Sequence, residues 1–128
     1  MTYHLTKTVT GSMDEVAARV TEALAKRGFG VLTTIDVQAT LKKKLGVDFR
    51  PYRILGACNP NYAFEALQAE DKIGTMLPCN DVLQEKERGR IEVSAVDPVA
   101  SMASVDQPKL APLAQKVRGL LAETVESL

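Results

Sequence analysis

The sequence is poor in the residues that build metal centres and redox frameworks: it has one histidine, His4, and two cysteines, Cys58 and Cys79, in 128 residues. A structural zinc site takes four nitrogen or sulfur ligands, which this set cannot supply, so no metal ligand is assigned. His4 lies in an alternating segment and reads as a surface or satisfied core residue. No apolar run approaches the roughly 18 residues that would suggest a membrane span. The N-terminal Met1-Thr2-Tyr3-His4 also lacks a basic-then-apolar signal, so a cytoplasmic protein is expected, with its thiols reduced. Neither sign of charge is in excess, with 16 Lys and Arg against 16 Asp and Glu. The signs are interspersed, apart from Lys42, Lys43 and Lys44. Nucleic-acid binding needs a basic face to neutralise phosphates, and none is indicated. The lysine run reads as a solvated helix face, with an anion or partner contact as the alternative.

Catalytic signatures are missing as well. There is no Gly-x-Ser-x-Gly, no phosphate-binding Walker loop and no His-Glu-x-x-His. Glu65 and Glu70 are available as bases, but glutamates on an exposed helix usually only solvate it. A non-enzymatic role is therefore favoured, and no cofactor is implied. Gly28-Phe29-Gly30 does not open a dinucleotide loop, because it follows a helix and precedes a strand, and position 33 is Thr33. Composition does not shift anywhere along the chain, so residues 1–128 are expected to form one domain. That length supports a hydrophobic core without disulfides.

The patterning that is present predicts an α+β fold. Tyr3 to Val9 alternates as a strand, and Ser12 with Glu15 has the spacing of a capping box. Met13, Val16, Ala17, Val20, Ala23 and Leu24 then form one apolar stripe, ending at Gly28. Phe29 to Val37 is β-branched and strand-like. Val37 to Leu45 suggests a short helix closed by Gly46, and Tyr52 to Ala57 a short strand. Asn59-Pro60 reads as a cap residue and first-turn proline opening a helix to about Ala69. Ile73 to Gln84 reads as an extended stretch interrupted by Pro78, which would place it at a sheet edge or bulge. It forms a hairpin with Arg90 to Val96. A small-residue connection from Val99 to Gln107 leads to a final helix opened by Pro108, with Leu110, Leu113, Val117, Leu121 and Val125 on its apolar stripe. Two long helices should therefore cover one face of a mostly antiparallel sheet of about five strands, leaving the other face wet or covered by a second copy.

The most unusual local feature is an echo. Cys58-Asn59-Pro60 stands between a strand and a helix, and Pro78-Cys79-Asn80 interrupts a strand. These six residues are the candidate ligand-binding set, and the alternative is a thiol-dependent redox or metal-handling role for Cys58 and Cys79. Cys58 precedes a helix start, where backbone amides favour an anion and can lower a thiol pKa. Buried cysteines and turn asparagines would account for the same residues without any ligand. Around Gly28-Phe29-Gly30-Val31-Leu32, Leu55-Gly56-Ala57-Cys58-Asn59-Pro60 and Ile73-Gly74-Thr75-Met76-Leu77-Pro78-Cys79-Asn80, the sequence resembles the bacterial and archaeal family called domain of unknown function 302. The resemblance runs from about Gly11 to Pro98. It implies helices packed on a curved antiparallel sheet in a TATA-binding-protein-like arrangement, and it hints at homodimers. It brings no activity and no catalytic residues, so the expected role is that of a small-molecule-binding or interaction domain acting as a homodimer.

Overall fold

The computed structural model describes residues 2–128. Strand β1 (His4–Thr10) leads into helix α1 (Met13–Ala25). The Ser12 hydroxyl accepts from the Glu15 amide at 3.1 Å and donates to the Glu15 carboxylate at 3.0 Å, which satisfies one of the unpaired amides of the first turn. Strand β2 (Gly30–Asp36) runs directly into helix α2 (Val37–Leu45). Asp36 caps α2 by accepting from the Ala39 amide at 2.9 Å. Gly46 closes it in the left-handed conformation at φ 67°, which glycine adopts without a Cβ penalty. Strand β3 (Tyr52–Cys58), helix α3 (Pro60–Ala69) and a single 3-10 turn (Ile73–Met76) follow. Strands β4 (Cys79–Glu87) and β5 (Arg90–Val96), short helix α4 (Pro98–Ser101) and helix α5 (Leu110–Glu126) complete the order.

The five strands form one sheet in the order β1-β5-β4-β3-β2, with every neighbouring pair antiparallel. Successive side chains alternate between its faces. Leu55 on β3, Leu83 on β4 and Ile91, Val93 and Ala95 on β5 point to one face, where they meet Val16, Val20 and Leu24 of α1 and Val117, Leu121 and Val125 of α5. Val16, Val20, Leu24, Leu83, Ile91, Val93 and Leu121 are completely buried. At roughly 1.5–3 kcal/mol per buried side chain of this size, the two helices are integral to the core. On the opposite face Thr6, Thr33, Ile35 and Asn80 are exposed. Helix α2 has no buried residue. Among the described residues, no helix is long and apolar enough to cross a membrane.

Two expectations fail around Pro78. Ile73 to Gln84 is not one extended stretch: Ile73–Met76 is a 3-10 turn and the strand starts only at Cys79. Nor is that strand at an edge, since β4 lies between β5 and β3. Pro78 stands just before the ladder and removes no hydrogen bond from it, so the rule against proline in central strands never applies. The last helix begins at Leu110, two residues beyond Pro108, and the Val99 to Gln107 connection contains most of α4. Helix α4 is nucleated by Asp97, whose carboxylate accepts from the Val99 amide at 2.9 Å.

Candidate functional site

Two segments distant in sequence meet at one end of the sheet. Ala57 is the register partner of Cys79, and Gly56 that of Asn80, so Leu77-Pro78-Cys79 lies alongside Gly56-Ala57-Cys58. The approach depends on residue 56 having no side chain. A Cβ there would stand 2.7 Å from Pro78 Cγ and closer still to Thr33 Oγ1. The Leu77–Pro78 peptide is cis. Just beyond Cys58 the chain turns into α3, with Pro60 at its start. Asn59 does not cap α3 with its side chain. Its amide instead donates to the Arg27 carbonyl at 3.5 Å, joining the start of α3 to the end of α1.

Between these segments and the helices lies a cavity of about 40 Å³. Ala57, Cys58, Asn59, Leu77, Pro78 and Cys79 form its strand-end wall. Tyr62, Ala63 and Ala66 of α3 face them across the space, and Leu110, Leu113, Ala114 and Val117 of α5 close another side. A water centre needs roughly 10–15 Å³, so there is room for about three or four water-sized atoms. Four of the six candidate residues, Cys58, Asn59, Pro78 and Cys79, therefore share one wall. The other two do not join them. Asn80 is exposed and, by strand alternation, lies on the opposite face of the sheet, among residues such as Tyr52 and Ser94. Pro60 is exposed at the first position of α3, outside the cavity. Glu65 is exposed on α3, and His4 is half-buried and bonded to the Thr6 hydroxyl.

The electrostatics of this end of the sheet centre on a residue that sequence reasoning missed. Asp81 follows Cys79 on the same face of β4, between Leu55 and Ala95 of the neighbouring strands. It is 1% exposed, and neither carboxylate oxygen has a hydrogen-bond partner. Burial pushes its carboxyl up from 3.8 to about 7. Burial also raises the Cys79 thiol from 9.0 to about 11, reinforced by the Asp81 charge and by Cys58. Asp97 behaves in the opposite way. Burial acts to raise its pKa, but the Arg118 guanidinium at 2.9 Å and the Val99 and Ala100 amides hold it below the ordinary carboxylate value. The signal for Asp81 was present in the alternation: it shares parity with Cys79 and Leu83, the inward-facing residues of the strand.

Both cysteines are free thiols, Cys79 buried and Cys58 half-buried. Among the described residues, no group of three or more His, Cys, Asp or Glu side chains is placed to hold a metal ion. A family model described as Domain of unknown function DUF302 matches residues 5–128. The chain belongs to that family. The match reaches further in both directions than the resemblance carried by the Gly28, Leu55 and Ile73 motifs. A crystal structure of an uncharacterized conserved DUF302 protein from Bacillus stearothermophilus is similar to the DUF302 chain described here, with a TM-score of 0.90 and 31% sequence identity over 98% of both chains. No curated protein matches the chain.

Proposed function

We propose that this DUF302 protein is a non-catalytic binding domain for a small, mostly apolar molecule, held where the ends of β3 and β4 meet α3 and α5. One observation carries the reading: Cys58, Asn59, Pro78 and Cys79 converge on a cavity walled mostly by carbon, where the thiols, the Met102 thioether, the Asn59 amide and the Tyr62 ring vary its chemistry. Ligand sites of this character are concave and largely apolar, with a few polar groups fixing orientation. Thiol chemistry is the second reading, because Cys58 and Cys79 share the wall. It has less support, since a Cys79 thiol pushed up to about 11 stays protonated at neutral pH and a protonated thiol is a poor nucleophile.

The domain acts as a homodimer in the cytoplasm in this proposal. Free thiols suit a reducing compartment. Support for a second copy comes from the open sheet face and its neighbour α2. Ile35 is 48% exposed, Leu45 69% and Val47 44%, and a nine-residue helix with no fully buried residue is too short to be stable alone. Sedimentation of the full chain tests this directly, with a monomer at all concentrations refuting it.

The cavity reading is tested by titrating the protein with n-propanol while following backbone amide resonances. Saturable shifts confined to Ala57–Asn59, Tyr62–Ala66 and Leu113–Val117 are expected, and Ala63→Leu should abolish them by filling the space. Linear shifts spread over the surface, or an unchanged response in Ala63→Leu, would refute the reading.

A further inference from the structure

Helix α3 is the most lightly anchored wall of the cavity. A helix of ordinary length is held in a folded protein by the side chains it buries more than by its own propensity. Helix α1 buries Val16, Val20, Ala23 and Leu24, and α5 buries six residues. Helix α3 buries only Ala66. Toward the cavity it turns Tyr62, Ala63 and Ala66, and the two alanines leave the space open where larger side chains would fill it. Phe64 is 63% exposed and Leu67 42%, so they contribute little to holding the helix down.

The ends of α3 are weakly tied as well. Asn59 leaves the first-turn amides without a side-chain cap, and neither an acidic residue in the first turn nor a basic one in the last complements the helix dipole. The Asn59 amide reaches the Arg27 carbonyl only at 3.5 Å, beyond the usual hydrogen-bond range, whereas Gln107 Nε2 donates to the Ala69 carbonyl at 3.0 Å. Of these two side-chain ties, only the second is well formed. Outside the segment the chain is fixed again, because β3 is paired on both sides, by β2 and β4, and Ile73 is 1% exposed. The stretch from Asn59 to Lys72 can therefore open as a unit while the sheet and the long helices stay in place.

We propose that α3 is a lid over the cavity, which opens by local release about Asn59 and Glu70 and admits a small molecule beneath it. Glu70 ends the helix in an extended conformation, at φ −149° and ψ 108°, so the chain already leaves the helical path there. Opening exposes only Ala66 and the half-buried Tyr62, Ala63 and Ala69, a small apolar area. The facing walls are held differently. Ala57 and Cys79 are paired across β3 and β4, and α5 is fixed by its buried residues.

The lid follows from the packing of α3 alone, its use as an entrance rests on the cavity reading, and native-state hydrogen exchange of the full chain separates the two. Amides of α3 should exchange together, about a hundredfold or more faster than those of α1 and α5. Gln107→Ala removes the tie to Ala69 and should speed exchange in α3 further while leaving α1 and α5 unchanged. Saturating n-propanol should slow exchange in α3, because a bound molecule holds the lid shut. Exchange in α3 as slow as in α5, or an equal acceleration of all helices in Gln107→Ala, would overturn the lid. If α3 opens but propanol gives neither slower exchange nor saturable resonance shifts, the lid stands and the cavity reading fails. If the shifts appear while exchange in α3 is unchanged, α3 opens without releasing the ligand and the entrance is refuted. Should Gln107→Ala fail to fold, the contrast between α3 and α5 in the wild type still decides.

Discussion

Asp81 makes the pH dependence of stability calculable. Below 3.8 the carboxyl is protonated in folded and unfolded chains alike, and burial raises the folded value to about 7. Between those values the unfolded chain has released its proton and the folded chain has kept it, so rising pH favours unfolding. At about 1.4 kcal/mol per pH unit, the loss over the whole window is about 4 kcal/mol. That is a large part of the roughly 5–15 kcal/mol that holds a typical domain together, and for a chain of this size it corresponds to a fall of roughly 10–20 °C in Tm. Above about 7 the effect levels off, because both states are ionised. Asp81→Asn keeps the shape and removes the charge. Denaturant unfolding at a series of pH values should therefore show wild type and variant close together near the acid end of the window. They should diverge as the pH rises, with the variant more stable at neutrality. Asp97 titrates in both proteins and in a lower range, so it cancels from the difference. Equal slopes for wild type and Asp81→Asn across the window would refute the reasoning.

Three further outcomes follow from the site. Gly56→Ala should cost about 1–3 kcal/mol, as overpacking does, because the new methyl would meet Pro78 and Thr33; unchanged urea unfolding would disprove the tight approach. Asp97→Ala should also cost about 1–3 kcal/mol, by leaving the Val99 and Ala100 amides and the Arg118 guanidinium without their acceptor. Since the folded Asp97 pKa is lowered, the wild type alone should lose that increment as the pH falls below 3.8, which acid unfolding of the pair would show. In the folded protein at neutral pH, a thiol reagent monitored by mass spectrometry should leave Cys79 unmodified, and rapid modification of Cys79 would contradict its burial and raised pKa.

Most of the elements were legible because local chemistry marks their ends. The Ser12–Glu15 pair opens α1 at the expected residue, and the span from Val37 to Leu45 with Gly46 after it is the observed α2. The sequence failed where proline was given one meaning out of several. Pro78 reads in the sequence as a break within a strand, whereas it ends a loop that packs on Gly56, and only the register between β3 and β4 reveals that contact. The site was half legible. Composition singled out both Cys-Asn pairs, but strand alternation sends Asn80 to the face opposite Cys79. Asp81 escaped notice because aspartate in a strand is ordinarily read as solvent-facing, and only its neighbours show how completely it is enclosed. The α5 wall of the cavity depended on tertiary packing that no local pattern reports.

The strand order also governs when the molecule can form. Strand β1 has a single partner, β5, and its first residue pairs with Val96. During synthesis the N-terminal strand therefore has no place in the sheet until some ninety further residues have been added, while β2, β3, β4 and β5 can pair in succession as they emerge. Contacts of such long sequence separation slow folding. Lys7 of β1 also binds the carbonyls of Glu126 and Leu128 at the end of α5, so the first strand is fastened by the end of that helix. Translation that stops between β5 and the end of α5 leaves the β1–β5 pair without that fastening, two complementary strands on every nascent chain through which unfinished molecules can exchange.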